Sequence, residues 1–332
     1  MTGLGELNEW LGSKRMAKLF RWLEQAQPFA NAAARPRPNG SCGQSESRPM
    51  PKRIILHLGL HKTATTSLQD FLTENIPALL RHGVRFIPLQ RMRTDVTPLF
   101  WAIDKGRRNK LVEFIDAVEQ DTLLLSDENM IGVPGELTQG GVYPYARNRV
   151  VSFCEDLKDL QITIFLTLRE PQWFITSMYS EYLRHNDFIP FEAFIAALDC
   201  ANFSFRKAFS WLGSLPENAE AKIIPFEADH GGGVVRTAEQ IIAKACGPAS
   251  GIDLAKFPNS KSRSSYTTEE IRIAAEIANS ADPQTSKFFL NMIDFRERRF
   301  GTTKFTPFPA GTAERMLRNY REDLQYFKSI GC

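Results

Sequence analysis

The chain lacks the features that mark several classes of protein. Its five cysteines form no Cys-x-x-Cys pair and no even set, so the sequence predicts neither a disulfide framework nor a zinc site. No apolar run approaches the roughly 18 residues of a membrane-spanning helix, and the first residues lack the apolar core of a secretory signal. A net charge of +3 over 332 residues is too small to indicate nucleic-acid binding. These absences favour a cytoplasmic, enzyme-sized globular protein.

The first fifty residues differ in composition from the rest. Residues 4–25 place apolar side chains at helical spacing with basic residues among them, which predicts a basic amphipathic helix within residues 1–28. Residues 29–51 are rich in Ala, Pro, Ser, Gly and Asn, as flexible linkers are. The helix has two interpretations: peripheral contact with a partner or with the inner face of an acidic membrane, or docking against its own protein. The main domain is predicted to span residues 52–332.

In the main domain, short apolar runs alternate with segments of helical period. The runs predict strands at Arg53–Leu58, Val84–Pro88, Thr122–Ser126, Gln161–Leu168 and Ala221–Pro225. The segments of helical period include Ser67–His82, Lys110–Gln120 and Arg147–Leu157. Nearly continuous apolar strands separated by helices predict an α/β fold with a mostly parallel central sheet flanked by helices. Ligands bind such sheets at the carboxyl ends of the strands.

The stretch IILHLGLHKTATTSLQ, residues 54–69, combines a strand, a turn and the start of a helix. A turn at Gly59 and a helix beginning near Thr65 would aim backbone N–H groups and the positive end of the helix at one point. Lys62 adds a mobile charge, and the hydroxyl residues at 63, 65, 66 and 67 add donors suited to phosphate or sulfate oxygens. The stretch predicts an anion-binding loop. The alternative is a well-capped helix with incidental threonines.

The spacing within this loop distinguishes between anion chemistries. A triphosphatase loop reads G-x-x-x-x-G-K-[ST], whereas Lys62 comes three residues after Gly59 and Ala64 stands where glycine would be expected. LGLHKTATTSLQ closely resembles the phosphosulfate-binding loop of sulfotransferases that use 3′-phosphoadenosine 5′-phosphosulfate (PAPS), above all their bacterial and carbohydrate branch. The resemblance implies a P-loop-like fold, PAPS as donor and the bisphosphate PAP as product. It implies donor binding by Gly59, Lys62, Thr63, Ala64, Thr65, Thr66 and Ser67.

A second motif follows in TIFLTLREPQWFITSMYSEYLR. A strand ends at Leu168, Arg169 follows it, and Pro171 is placed to open a helix that carries Ser177. The arginine and the serine should therefore converge. In the sulfotransferases that this stretch resembles, an arginine and a serine eight positions later hold the 3′-phosphate, and Arg169 and Ser177 match that spacing. The alternative is a surface arginine beside a helix start.

A looser resemblance lies in FPNSKSRSSYTTEEI. It is similar to the segment in which related enzymes close a basic loop over the nucleotide, although the usual Arg-Lys-Gly triplet is missing. It implies that Lys261 and Arg263 help to hold the 3′-phosphate, and the alternative is that both are exposed loop charges. The whole resemblance covers roughly Lys52 to Phe300.

The predicted general base lies in TLLLSDENM, where a strand ends at Ser126 and is followed by Asp127 and Glu128. Glu128 resembles the carboxylate of a Ser-x-Glu feature of the same branch, which makes it the first candidate and Asp127 the second. A strand followed by Asp-Glu is also how a magnesium-binding ATPase strand ends, and an acidic pair equally suits a helix N-terminus. His61 flanks Lys62 and is a third catalytic candidate, whereas His57 is predicted to lie in the strand.

The resemblance implies metal-independent, in-line sulfuryl transfer to a hydroxyl or amine acceptor, of the class of a carbohydrate or a small metabolite. Loops at Gln90–Arg108, Gly132–Tyr145 and His185–Ser204 are predicted to face that acceptor. Two alternatives stay open. One is a magnesium-dependent P-loop nucleotide kinase or ATPase, and the other is a catalytically silent nucleotide-binding domain that acts through its N-terminal helix.

Overall fold

A central sheet of five parallel strands organises the chain. In the computed structural model, residues 53–227, 233–248, 250–257, 265–296 and 300–332 are described, and they belong to one unit, Arg48–Cys332. The strands are β1 (Arg53–His57), β2 (Val84–Phe86), β3 (Thr122–Ser126), β4 (Gln161–Leu168) and β5 (Ala219–Pro225). Their order across the sheet is β2-β3-β1-β4-β5. The predicted α/β class with a parallel sheet is therefore confirmed.

Helices connect and flank the strands. The α-helices are α1 (Thr65–Glu74), α2 (Ile76–Arg81), α3 (Leu89–Arg91), α4 (Thr97–Phe100), α5 (Lys105–Asp116), α6 (Ala146–Asp156), α7 (Pro171–His185), α8 (Phe191–Phe194), α9 (Phe205–Phe209), α10 (Gly233–Cys246), α11 (Thr268–Ser280), α12 (Pro283–Arg296) and α13 (Ala310–Ser329). Short 3-10 helices cover Glu128–Met130, Pro134–Gln139, Cys200–Asn202, Ser210–Ser214 and Leu254–Lys256, and a π-helical turn, Met92–Val96, joins α3 to α4. Within the described part of the chain, no helix has the length and apolarity needed to cross a bilayer.

The core lies on both faces of the sheet. Alternate residues of a strand point to opposite faces, so Ile54 and Leu56 of β1 pack in one apolar cluster and Ile55 packs in the other. Helices α1 and α10 cover the smaller cluster through residues such as Phe71 and Ile241. Parallel strands buried in this way need the continuous apolar runs that the sequence contains.

The strand register brings the predicted site elements to one edge of the sheet. His57, the last residue of β1, lies opposite Ser126 of β3 and Phe165 of β4. Strand β4 continues to Leu168, so Arg169 leaves the sheet at the same edge as the loop after β1. Because all strands are parallel, their carboxyl ends meet at that edge.

Several predicted boundaries differ from those observed. The predicted helix Ser67–His82 is divided into α1 and α2, because Asn75 ends the first helix and Pro77 lies in the first turn of the second. Residues 90–108 were predicted as a loop and are largely helical, through α3, the π-helical turn, α4 and the start of α5. The predicted N-terminal helix at 1–28, the linker at 29–51, and Lys261 and Arg263 lie outside the described residues.

Candidate functional site

The loop after β1 continues the hydrogen-bond ladder of the sheet. Leu58 N–H donates to Phe165 O at 2.8 Å and Leu60 N–H donates to Thr167 O at 3.1 Å, so the loop is tied to β4 beyond the end of β1. Between them, a Cβ atom on Gly59 would lie 2.9 Å from both His57 Nε2 and Thr65 Oγ1. Only glycine fits this close approach, which explains its place in the loop.

Two residues of the loop that are not glycine adopt left-handed backbone angles. Lys62 has φ 67° and Ala64 has φ 57°. Each such residue costs roughly 1–2 kcal/mol, and strain of this kind is typical of ligand-binding loops. Ala64 precedes the first residue of α1 and offers no side-chain cap. The first turn of α1 therefore relies on other groups, or on a ligand, to satisfy its N–H donors.

The hydroxyl residues of the loop do not all face the same way. Thr63 is buried and its Oγ1 donates to Leu60 O at 2.6 Å, so this hydroxyl braces the loop itself. Thr65 is also buried, with its Oγ1 3.4 Å from that of Thr63. Ser67 is buried and Thr66 is exposed. The hydroxyl proton of Thr63 is thus committed to the protein, and donor binding by the remaining hydroxyls stays a prediction.

Lys62 is paired with a carboxylate that the sequence did not single out. Its Nζ lies 3.1 Å from Glu181 Oε2, and the two side chains are only 16% and 20% exposed. Arg184 Nη1 contacts the same oxygen at 2.8 Å. Burial alone would raise the pKa of Glu181, but Lys62 and Arg184 outweigh that effect and lower the pKa to about 2. Lys62 is therefore held beside α7 by a carboxylate that stays ionised.

Arg169 and Ser177 meet as their spacing predicts. Arg169 Nη1 donates to Ser177 Oγ at 3.2 Å and to the backbone O of Lys62 at 2.8 Å. Ser265 Oγ donates to Ser177 Oγ at 3.2 Å, which adds a third segment of the chain to this point. The two sequence motifs thus form one continuous polar cluster at the carboxyl edge of the sheet.

Part of the Arg169 guanidinium has no hydrogen-bond partner. Its Nε is buried and makes no hydrogen bond among the described residues, while Glu227 Oε1 lies 3.7 Å away. Burial lowers the pKa of Arg169, and the carboxylates of Glu227 and Glu170 oppose that shift. Glu227 balances the charge from beyond hydrogen-bond distance, so the Nε donor itself stays unused, and a phosphate suits the planar set of donors of an arginine. This atom is the strongest sign of a ligand in the site.

On the opposite side of Lys62, Asp127 and Glu128 follow β3 and differ in their surroundings. Asp127 is fully buried: Thr97 Oγ1 donates to its Oδ2 at 2.7 Å and Asn129 N–H donates to its Oδ1 at 3.1 Å. Both oxygens are therefore occupied, and Asp127 caps the helix Glu128–Met130. One interpretation of the acidic pair was a helix start, and Asp127, but not Glu128, has that role.

Glu128 has one oxygen bound and one unbound. Arg93 Nη2 donates to Oε1 at 2.9 Å, whereas Oε2 is buried without a hydrogen-bond partner among the described residues. Burial raises the pKa of Glu128, and Arg93 is the main group that opposes the rise. A carboxylate whose pKa moves toward neutrality, with a lone pair unused, is suited to accept a proton.

The two histidines near the loop are neutral and fully engaged. The ring of His61 lies 2.7 Å from Tyr143 Oη through Nδ1 and 3.0 Å from Asn129 Oδ1 through Nε2, and burial lowers its pKa to about 4. His57 lies in β1 as predicted, 2.9 Å from Ser126 Oγ, and burial lowers its pKa to about 3. The contacts of His61 favour a role in joining the loop to the 3-10 helix after β3, rather than direct proton transfer.

Comparisons with models of protein families, with curated proteins and with solved structures find no match to this chain. Within the described ranges, no group of three or more His, Cys, Asp or Glu residues is arranged to hold a metal ion.

A cavity adjoins the candidate site through Tyr143. It has a volume of about 390 Å³ and is lined by residues of 140–147 and 197–211. Its lining includes Tyr143, whose hydroxyl contacts His61, together with Arg147, Lys207 and Trp211. Parts of two of the three loops predicted to face an acceptor, Gly132–Tyr145 and His185–Ser204, thus line one concave surface.

Sequence reasoning missed Glu181, Arg93 and Ser265 as site residues. Glu181 carried a weak signal, because it lies four residues after Ser177 and therefore on the same face of α7. Arg93 lies within Gln90–Arg108, predicted to face the acceptor, but nothing indicated its contact with Glu128, 35 residues later in the chain. Ser265 lies in the same stretch as Lys261 and Arg263, FPNSKSRSSYTTEEI, two residues after Arg263.

Proposed function

We propose that this protein is a sulfotransferase that moves a sulfuryl group from PAPS to a hydroxyl or amine acceptor. One observation carries the proposal: Arg169, whose buried Nε makes no hydrogen bond among the described residues, contacts Ser177 and the backbone of Lys62, so the two motifs lie together as a single anion site requires. The resemblance of both motifs to phosphosulfate-binding sequences supports the identity of the anion. The acceptor class proposed is a carbohydrate or a small metabolite.

The residues have distinct roles in this proposal. Arg169 and Ser177 bind the 3′-phosphate of the donor, because a guanidinium and a hydroxyl supply the donors that a phosphate accepts. The loop from Gly59 to Ser67, with the N-terminus of α1, binds the 5′-phosphosulfate end. Lys62 turns from Glu181 toward the bridging oxygen and stabilises the negative charge that grows on the leaving phosphate.

Proton transfer is assigned to Glu128. The donor supplies an activated sulfuryl group; the acceptor oxygen or nitrogen forms a bond to sulfur while the bond from sulfur to the phosphate oxygen breaks. Glu128 Oε2 takes the proton that the acceptor loses, since this oxygen accepts no hydrogen bond from any residue that the structure describes. Positioning of the two reactants supplies much of the acceleration in a transfer of this kind.

The alternative of a magnesium-dependent nucleotide kinase or ATPase rests on the acidic pair after β3. In such enzymes an acidic residue at this place holds the metal ion. Asp127 has both oxygens bound by Thr97 and Asn129, and Lys62 is preceded by His61 where the motif G-K-[ST] has glycine. These observations favour sulfuryl transfer. A catalytically silent nucleotide-binding domain would bind the same nucleotide as the proposed enzyme and would differ from it only in lacking turnover.

The test combines binding with turnover. Calorimetry with PAP and with ATP plus magnesium identifies the nucleotide, and sulfate-labelled PAPS incubated with cell extracts, followed by mass spectrometry, identifies a sulfated product. We expect PAP binding, label transfer that persists in EDTA, and a loss of at least about 10²-fold in Lys62→Ala. Transfer of phosphate from ATP that stops in EDTA would establish the kinase or ATPase instead. PAP binding without any labelled product would establish a binding domain.

A further inference from the structure

Arg93 lies on the π-helical turn Met92–Val96, and its side chain is 44% exposed. Its Nη2 is 2.9 Å from Glu128 Oε1 and its Nε is 3.5 Å from Asp127 Oδ1, so one guanidinium contacts both acids that follow β3. Single π-helical turns often occur at functional sites, because the wider turn changes the direction in which its side chains point. Here the turn carries the arginine that reaches the 3-10 helix after β3.

The charged surroundings of Glu128 are mixed. Burial and Glu181 favour its protonated form, whereas Arg93 and Lys62 favour the ionised form, and the charge of Glu128 in turn raises the pKa of Asp127. His61 and Tyr143 also lie near it, and burial keeps both of them uncharged. In the resting site Lys62 is bound to Glu181, and during transfer Lys62 serves the donor. Arg93 is then the cation that remains in contact with Glu128.

The two oxygens of Glu128 are made different by this contact. Arg93 occupies Oε1, and Oε2 stays buried and unbound among the described residues. A carboxylate that is held through one oxygen cannot rotate freely, so the other oxygen keeps a fixed position. The direction from which a proton can arrive is thereby set by a residue that does not itself need to touch the acceptor.

We propose that Arg93 is the positioning residue of Glu128: it holds the carboxylate through Oε1 and leaves Oε2 to receive the proton. The proton transfer in this statement rests on the proposed sulfotransferase function. The orientation and ionisation of Glu128 do not, and they are measurable in the protein without any substrate.

The titration of Glu128 tests the proposal directly. Protein labelled with ¹³C at the glutamate carboxyl carbon gives one signal per glutamate, and the signal of Glu128 is the one absent from Glu128→Gln. An adjacent arginine lowers a carboxylate pKa by about 1–3 units, and Arg93 is partly exposed, so Arg93→Met should raise the Glu128 midpoint by about one unit. Arg93→Lys should restore most of the midpoint, because it keeps the charge.

A matched control is available two residues away. Arg91 has the same exposure as Arg93, 44%, but pairs with Asp95 at 3.0 Å. Arg91→Met removes the same charge from the same surface and should leave the Glu128 midpoint within about 0.2 units. An unchanged midpoint in Arg93→Met, or an equal shift in Arg91→Met, would overturn the proposal. If Arg93→Met does not fold, Arg93→Gln provides the same readout.

Turnover measurements distinguish the positioning of Glu128 by Arg93 from the proposed role of Glu128 as the base in sulfuryl transfer. With the acceptor found by the labelling screen, the acid limb of the pH–rate profile should move to higher pH in Arg93→Met and return in Arg93→Lys. A shifted midpoint together with full activity of Glu128→Gln would refute Glu128 as the base and leave its positioning by Arg93 intact. A shifted midpoint with an unmoved acid limb would overturn the link from Arg93 to catalysis.

Discussion

The two sides of the site are built in different ways. On the donor side, the loop of residues 58–67 is bound to β4 by backbone hydrogen bonds, and Arg169 and Ser177 join it through further hydrogen bonds. On the acid side, Glu128 is held by the side chain of Arg93, which comes from a separate helical turn. Backbone contacts within the sheet hold the donor loop, whereas one side-chain pair holds Glu128.

This difference predicts how each side of the site responds to amino-acid substitution. A sheet ladder tolerates many side-chain substitutions because its hydrogen bonds involve the backbone alone. An ion pair is lost with either partner, and loss of one partner leaves a buried charge without compensation. We therefore expect substitution of Glu128 on the acid side to change turnover, and substitution of Arg169 on the donor side to change affinity.

The largest effect is expected on the acid side. Glu128→Gln keeps the size of the side chain and removes its basicity, so turnover should fall by about 10²- to 10⁴-fold while PAP binding stays near wild type. The rate is measured with labelled PAPS and the acceptor identified by the screen, and binding by calorimetry. Full turnover would reject Glu128 as the base, and lost PAP binding would assign it to the donor site instead.

Arg169→Ala is expected to have the next largest effect, on affinity rather than on chemistry. Hydrogen bonds to charged groups contribute about 1.5–3 kcal/mol, so the Kd for PAP should rise by about 10- to 100-fold. Arg169→Lys should be intermediate, since lysine keeps the charge but loses the planar fork.

The control for Arg169 is Arg149. Arg149 lies on α6, is comparably buried, and pairs with Glu136 of the 3-10 helix Pro134–Gln139 at 2.9 Å. Arg149→Ala should lower stability without a change in PAP affinity. Equal weakening of PAP binding by both substitutions would show that the loss at Arg169 is structural.

A smaller effect is expected where the donor side is held by a carboxylate. Glu181→Gln releases Lys62 from its 3.1 Å ion pair, so PAP should bind about two- to five-fold more tightly, in keeping with the modest strength of partly exposed pairs. Glu220→Gln, which breaks the Lys244 pair near the start of β5, serves as control. Weaker PAP binding in Glu181→Gln would mean that Glu181 orients Lys62 for the donor.

The pKa of Glu181 adds a pH test to the same variant. Because the folded-state pKa is about 2, below the ordinary 4.5, the pair contributes fully to the unfolding free energy above about pH 4.5 and loses its contribution as the pH falls toward 2. Urea denaturation between pH 3 and 7 should show a shallower loss of stability in Glu181→Gln than in wild type.

The smallest effect concerns the loop backbone. Ala64 has φ 57°, which glycine adopts without strain, so Ala64→Gly should raise the free energy of unfolding by about 0.5–1 kcal/mol. Ala78→Gly in α2 is the matched control and should lower it by a similar amount. Urea denaturation measures both. A loss of stability in Ala64→Gly would show that the loop does not carry the strain inferred from its angles.

The donor side was largely predictable from the sequence, since its geometry follows from local rules. The strands β3 and β4 have the predicted bounds, α1 begins at the predicted Thr65, and α7 begins with Pro171. The contact of Arg169 with Ser177 follows from a strand end and the first two turns of a helix. Each of these features depends on residues that are close in sequence.

The acid side was only partly predictable, because its contacts join distant segments. The sequence did not indicate that Arg93 would contact Glu128. On the donor side it likewise did not indicate that Lys62 would pair with Glu181, 119 residues away. Ion pairs depend on how helices pack, and no spacing rule in a single sequence encodes that. The predicted continuous helix at 67–82 was wrong for a local reason, since Pro77 favours a new helix start.

The backbone bonds of Leu58 and Leu60 to β4 also bear on how the site moves. Ligand-binding loops usually belong to the least stable parts of a protein, whose amide hydrogens exchange quickly with solvent. Here the amide hydrogens of Leu58 and Leu60 are bound to Phe165 and Thr167 of a buried central strand. Their exchange should require opening of the sheet itself, so they should exchange as slowly as the core. A loop ordered to that degree before binding spares its ligand the entropic cost of ordering it.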